Sequence, residues 1–297
     1  MKAIFTKVPE VIQDEIFAVR ITDASCFSTE FHFHKECQMV YVVESEGKRI
    51  IGDSVETFKS DELIFLGSGI PHAWHNDKAY IHTGENHARS IALFFDPDKL
   101  IELLSAFVQV KKLESFLETA QLGMKFSGHT KALLSGLLLE MSSREGLAQL
   151  ISLLKILENL STTNEYELLA SDGYINTCQA TDNDRMGKVF KHIFSNFTTE
   201  IQLNEVASLA NMNKQAFCRY FKSRTQKTFT EFVNNIRITH ACKLMAADDC
   251  QIAALAYDCG FNSVSNFNRF FKAIKGITPR EYKKEIWTGD SLPINRP

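Results

Sequence analysis

Three histidines stand close enough in sequence to act together: the pair in His32-Phe33-His34, and His72 in the run Pro71-His72-Ala73-Trp74-His75-Asn76. Imidazole is a good ligand for zinc, iron or manganese, so His32, His34 and His72 facing one another would supply most of a divalent metal site. The same segments support a metal-free alternative, a small-molecule pocket lined by His34, Gln38, Tyr41, His72 and Trp74. A third reading leaves the histidines in a plain core whose only task is to dimerise. His75, His82 and His87 lie nearby without a defined spacing. The chain carries no Ser/His/Asp elbow, P-loop or dinucleotide fingerprint, so the sequence requires no cofactor.

A second set of residues suits nucleic acid. Lys214, Gln215, Cys218, Arg219 and Lys222 fall on one face of a helical pattern, and Val264, Ser265, Asn268, Arg269 and Lys272 on one face of another. In the major groove Arg can donate twice to guanine, Gln or Asn can pair with adenine, and Val can meet a thymine methyl. Lys222, Arg224, Lys227, Lys272 and Lys275 sit at helix ends, where they suit phosphates.

The elements behind these faces are duplicated. Val206-Ala207 recurs 49 residues later as Leu255-Ala256, and Met212-Asn213 as Phe261-Asn262. Beyond the turn the offset is 50, matching Phe217/Phe267, Arg219/Arg269, Phe221/Phe271, Lys222/Lys272, Glu231/Glu281 and Phe232/Tyr282. A one-residue slip within a turn is the mark of a duplicated helix-turn-helix. Phe217, Tyr220 and Phe221 in one unit and Phe267, Phe270 and Phe271 in the other form its core face. Asn213 caps the first reading helix, and Asn262 or Ser263 the second. Between the units, Thr228 to Ala247 reads as one helix of about 30 Å, near the roughly 34 Å turn of B-DNA.

Charge agrees with this division. The 297 residues carry a net charge of −3, but residues 1–184 balance to −11 and residues 185–286 to +8. A basic segment on an acidic chain implies a polyanionic partner for that segment. Residues 1–95 are short apolar runs broken by turns, which predicts a β sandwich or barrel. Residues 96–163 change to helical spacing, with helices over 131–143 and 145–160, and make a candidate dimerisation or inter-domain segment. Residues 164–184 read as a linker, 185–286 as an all-α domain, and 287–297 as a tail. Seven cysteines without a C-x-x-C pair predict reduced thiols. No window resembles a membrane span or signal peptide, so no membrane partner and a cytoplasmic location are expected.

The run Ile252 to Lys272, followed by Gly276-Ile277-Thr278-Pro279-Arg280-Glu281-Tyr282, closely resembles the signature of the AraC/XylS-type bacterial transcription regulators. Ile236-Arg237 and Ala241-Cys242-Lys243-Leu244 agree with it. The chain departs at Gln226, where the family usually has Gly, and at Asn213, where Ser is more usual. The resemblance implies sequence-specific binding of double-stranded DNA and control of transcription, commonly as an activator that recruits RNA polymerase; with the helical segment as dimerisation surface and a small-molecule effector in the N-terminal domain, the expected protein is a ligand-responsive homodimer. Residues 1–95 are similar to cupin-type sensor domains, which implies a double-stranded β-helix barrel. Gln38 then stands where a cupin often has its acidic ligand, and Gly67 where it has Pro. The cupin likeness keeps open a second function, a metal-dependent oxygenase or isomerase fused to a DNA-binding domain. An effector-independent DNA-binding regulator is the third.

Overall fold

The computed structural model describes residues 16–27, 31–76, 88–171, 173–174, 182–247 and 250–288. They form two compact units, the first built mainly from residues up to Gly187 and the second from Lys188 onward. His82, His87, Cys178, residues 175–181 of the expected linker and the tail from 289 lie outside the described residues.

The first unit contains strands β1 (Phe17–Ala24), β2 (Cys37–Glu44), β3 (Gly47–Ile51), β4 (Ser54–Phe58), β5 (Glu62–Leu66), β6 (His72–His75) and β7 (Ala88–Phe95). Helices α1 (Pro97–Ser105), α2 (Lys111–Thr119), α3 (Gly128–Met141) and α4 (Gly146–Leu160) follow. The stretch expected to be wholly helical also holds a short strand, β8 (Met124–Phe126), and the expected linker holds another, β9 (Tyr166–Leu168). They pair antiparallel with each other, and β8 adds to the edge of β5. The result is a six-stranded sheet in the order β1-β7-β2-β5-β8-β9 and a three-stranded sheet in the order β4-β3-β6.

The expected closed barrel is not found among the described residues. The large sheet continues outward from β5 through β8 and β9, and among the described residues no strand ladder joins it to the small sheet. Side chains alternate along a strand, so the two faces of the large sheet take different cores. Met39, Leu63, Phe65, Leu93 and Phe95 pack with Phe116, Leu134, Leu138, Leu153 and Ile156 of the helices. Val40, Ile64, Ala92 and Phe94 face the other way and pack with Ile51, Phe58 and Trp74 of the small sheet. Burying each of these large side chains stabilises the unit by about 1.5–3 kcal/mol. Within the second layer the fully buried Arg49 donates from Nε to Glu62 Oε1 at 2.8 Å, so both charges are paired.

Helix α5 (Asp182–Asn196) leads into the second unit, which continues with α6 (Leu203–Leu209), α7 (Lys214–Thr225), α8 (Phe229–Ala247), α9 (Ile252–Asp258), α10 (Val264–Lys275) and α11 (Pro279–Thr288). The local reasons repeat as the sequence does. Asn213 Oδ1 accepts from Ala216 N at 2.8 Å and Ser263 Oγ from Asn266 N at 3.3 Å, so each polar side chain caps a helix start. Thr228 and Glu231 exchange hydrogen bonds across the first turn of α8, and Thr278 and Glu281 do the same for α11. Both are capping boxes. The helices end alike too, with Gln226 (φ 56°) after α7 and Gly276 (φ 78°) after α10 in the left-handed region. Glutamine is strained there and glycine is not.

Candidate functional site

Phenylalanines fix the orientation of α7 and α10. Phe217, Phe221, Phe267 and Phe271 are fully buried. Phe221 stacks edge-on to Phe229 and Phe232, whereas Phe267 and Phe271 join a cluster with Ile238, Met245, Leu255 and Phe261. With those sides turned inward, Lys214, Gln215, Cys218, Arg219 and Lys222 are exposed on α7, and Ser265, Asn268, Arg269 and Lys272 on α10. Val264 differs: it is half-buried and packs against the core. Arg269 lies over the Phe270 ring at 4.8 Å, a cation–π contact that holds the guanidinium against its helix. Arg219 and Lys222 line a groove of about 390 Å³ together with Cys218, Leu203 and Thr228–Thr230 at the start of α8. Two cations beside a helix N-terminus suit an anion such as a backbone phosphate.

Arg237 has a structural part that spacing does not reveal. From the middle of α8 it donates from Nε to Phe197 O at 2.7 Å and from Nη2 to Thr199 O at 2.9 Å, and it lies over the Phe261 ring. It thereby ties the segment after α5 to the long helix and to the turn that positions α10. Gly260, in that turn, has φ +85°, and a Cβ there would stand 2.8 Å from Phe197 O and from Thr198 C and O.

The histidine cluster lies in the first unit. His32 and His72 share an isolated antiparallel bridge, with backbone bonds of 3.0 and 2.8 Å. That bridge sets their rings 4.3 Å apart, and the His34 ring lies 5.1 Å from that of His72. One ligating atom from each of His32, His34 and His72 falls within 4.8 Å of the others. Gln38 on β2 faces the same layer as Val40, and Trp74 on β6 stacks edge-on against His72. Burial, with the neighbouring His32, lowers the His34 pKa to about 4. Burial first, then His32 and His34, holds the His72 pKa well below its ordinary value. Both rings are neutral at pH 7.

Tyr41 does not join this cluster. It stands three residues from Gln38 on the same strand, hence on the opposite face, where it packs toward the helices and donates to Asp61 at 3.1 Å. Of the five residues expected to line a pocket, His34, Gln38, His72 and Trp74 therefore lie on one side of the sheet and Tyr41 on the other.

The donor set fits a metal ion. His34 Nδ1 bonds Glu36 O at 2.9 Å and His72 Nδ1 bonds Ile70 O at 2.8 Å. A carbonyl only accepts, so both Nδ1 atoms carry the proton and both Nε2 atoms keep a lone pair. Those Nε2 atoms, Gln38 Oε1 and Trp74 Nε1 are buried without a hydrogen-bond partner. Three imidazoles and a carboxamide oxygen are a set that zinc, iron or manganese accepts.

An all-helical unit that turns two matched, basic, capped helices to solvent defines a DNA-binding transcription regulator. Comparison with known proteins agrees: residues 206–285 match the family described as "Helix-turn-helix domain". An HTH-type transcriptional regulator of Bacillus subtilis, YdeC, whose own function is uncharacterised, is 24% identical over 264 residues, 85% of each chain. The transcriptional activator RhaS of Mannheimia succiniciproducens is 32% identical over 111 residues, 37% of this chain and 40% of that one. The solved structure of ToxT from Vibrio cholerae covers 92% of this chain and 100% of its own at 17% identity, with a TM-score of 0.36. The family match lies within residues 206–285, and the relatives to which the chain is similar are transcription regulators rather than enzymes. No helix among the described residues is long and apolar enough to cross a membrane.

Proposed function

We propose that the chain is an effector-controlled transcription regulator, acting as an activator, in which two helix-turn-helix units of one chain read successive major grooves of double-stranded DNA. The observation that carries this is the repeated face: Arg219 and Lys222 are exposed on α7 as Arg269 and Lys272 are on α10, each pair behind its own buried phenylalanines. Arg219, Arg269, Gln215 and Asn268 read base edges, with Ser265 and Cys218 beside them and Val264 offering its exposed part to a thymine methyl. Lys214, Lys222 and Lys272 neutralise phosphates. The long helix α8, 19 residues or about 28 Å, spaces the two readers by slightly less than one DNA turn. A modest bend of the DNA closes the difference.

The first unit, read as a cupin-like sensor, takes its effector at His34, Gln38, His72 and Trp74, where buried polar atoms converge without partners. Helices α1 to α4 supply the homodimer contact, on which Leu147, Ile151 and Leu154 form an exposed apolar stripe along α4. Effector binding shifts the balance between arrangements that do and do not reach paired sites and RNA polymerase. The test is a fluorescence-anisotropy titration of full-length protein on its operator, located by genome-wide binding, with and without a metabolite panel. An effector must change operator affinity, and His34→Ala must abolish that change without altering affinity for random DNA. Unchanged affinity across the panel would leave an effector-independent regulator.

A further inference from the structure

We infer that the groove beside the first reading helix, α7, is a small-molecule site for a phosphate monoester that carries an apolar body, and that its occupant competes with DNA. The competition rests on the reading of α7 as a DNA-contacting helix; the binding of the ligand does not.

The groove has two unlike sides. Arg219 and Lys222 stand exposed along one, and Ile201, Leu203 and Phe229 form the other. Edge-on contacts with the Phe217 and Phe221 rings hold Phe229 in place, so the apolar side is preformed. The volume of about 390 Å³ lies within the roughly 300–1,000 Å³ of small-molecule pockets. Among the described residues no carboxylate lines the groove. The nearby Glu231 carboxyl is held below its ordinary pKa first by bonds from Thr228, then by Lys222 and Lys227, and those bonds commit it to the cap of α8.

Two unopposed cations match a dianion, and a phosphate monoester carries about −1.5 to −2 charges at pH 7. Arginine can donate twice to its oxygens, and lysine adds a point charge. A backbone phosphate of DNA carries one charge and brings no apolar body. It engages the cations and leaves the apolar side in water, whereas an aryl or alkyl group on the ester covers that side.

The duplication separates the two sides. Arg219, Lys222 and Thr228 recur as Arg269, Lys272 and Thr278, as a task shared by both helix-turn-helix units requires. The apolar side does not recur: Ile201, Phe229 and Thr230 give way to Cys250, Pro279 and Arg280. In the second unit Lys283 also donates to the Cys250 carbonyl, so a cation occupies the neighbourhood that Ile201 keeps apolar in the first. The charges therefore serve what the units have in common, and the apolar wall serves a ligand that only the first unit takes.

The full chain is titrated with 1-naphthyl phosphate, followed by its own fluorescence, and the anisotropy of a labelled duplex is measured in its presence. One saturable site is expected, with inorganic phosphate and 1-naphthol each at least about tenfold weaker, since each lacks one half of the match. At ten times its own Kd the ester should weaken duplex binding about tenfold. Ile201→Gln should weaken the ester about tenfold and leave duplex affinity unchanged. Because that variant alters a half-buried position, two exposed ones accompany it: Lys222→Gln should weaken ester and duplex, and Lys272→Gln the duplex alone. The inference is overturned if the ester binds no better than 1-naphthol or inorganic phosphate, if Lys272→Gln weakens it as much as Lys222→Gln does, or if bound ester leaves duplex affinity unchanged. No binding of the ester, with Lys222→Gln still weakening the duplex, leaves the DNA reading intact and removes the ligand site. Loss of the ester in Lys222→Gln with duplex affinity unchanged keeps the ligand site and removes α7 from the DNA contact.

Discussion

Two glycines of the second unit have nearly the same backbone and different surroundings, so replacing each by alanine separates strain from packing. Gly276 has φ +78° and open space where a Cβ would go, so Gly276→Ala costs only the left-handed conformation, roughly 1–2 kcal/mol. Gly260 has φ +85° and a Cβ position 2.8 Å from Phe197 O, Thr198 C and Thr198 O. Those are backbone atoms, held in part by the Arg237 bonds to Phe197 O and Thr199 O, and cannot rotate away. Gly260→Ala therefore adds an overpacking cost of about 1–3 kcal/mol, for a total of roughly 2–5 kcal/mol. Native-state hydrogen exchange of the full chain reads this directly as the opening free energy of amides in α9 and α10. Gly260→Ala should lower that protection by at least about 1 kcal/mol more than Gly276→Ala, and should weaken operator binding because α10 is aimed by this turn. Equal losses in the two variants would refute the packing argument.

Arg237→Ala removes two charge-assisted hydrogen bonds and should cost about 2–4 kcal/mol in the same exchange experiment; Arg237→Lys should restore less than half, since one ammonium cannot reproduce the fork. Arg49→Met leaves the Glu62 carboxylate buried without its main partner and should destabilise the first unit by about 3–5 kcal/mol, measured by chemical denaturation. Bonds from Thr228 to Glu231 and from Thr278 to Glu281 lower both carboxyl pKa values, so the stability they contribute is present above the unfolded value of 4.5 and lost as pH falls through the lower folded value. A Glu231→Gln, Glu281→Gln double variant should show a shallower loss of stability between about pH 5 and 3 than the parent chain, followed by circular dichroism.

The second unit was the more legible because its determinants are local. Helical spacing places Phe217 and Phe267 inward, and the repeat carries Glu231 and Glu281 to matching places, with Asn213 and Ser263 capping the two reading helices. Gln226 stood out as a non-glycine, and its positive φ shows why glycine is usual there. Arg237 was visible only as part of a family signature, because its partners lie about 40 residues away in sequence. In the first unit the strands over Cys37–Glu44, Glu62–Leu66 and Ala88–Phe95 follow from apolar runs, but their pairing does not. Whether two sheets close into a barrel depends on ladders between distant residues, and Met124–Phe126 was too short to be read as the strand that extends one of them. Tyr41 departs from the expected pocket for a reason the sequence contains: residues 38 and 41 differ in parity, so one strand turns them to opposite faces.

The central claim is that matched side chains of α7 and α10 divide the work of reading and holding DNA. It is tested most directly by equilibrium binding of full-length Arg269→Ala and Lys272→Ala to the operator and to random duplex over a range of salt. Arg269→Ala should lose about 1–3 kcal/mol on the operator and little on random DNA, while Lys272→Ala should weaken both alike and reduce the salt slope by about one. Equal losses on both DNAs from Arg269→Ala, or no loss from either variant, would contradict the account.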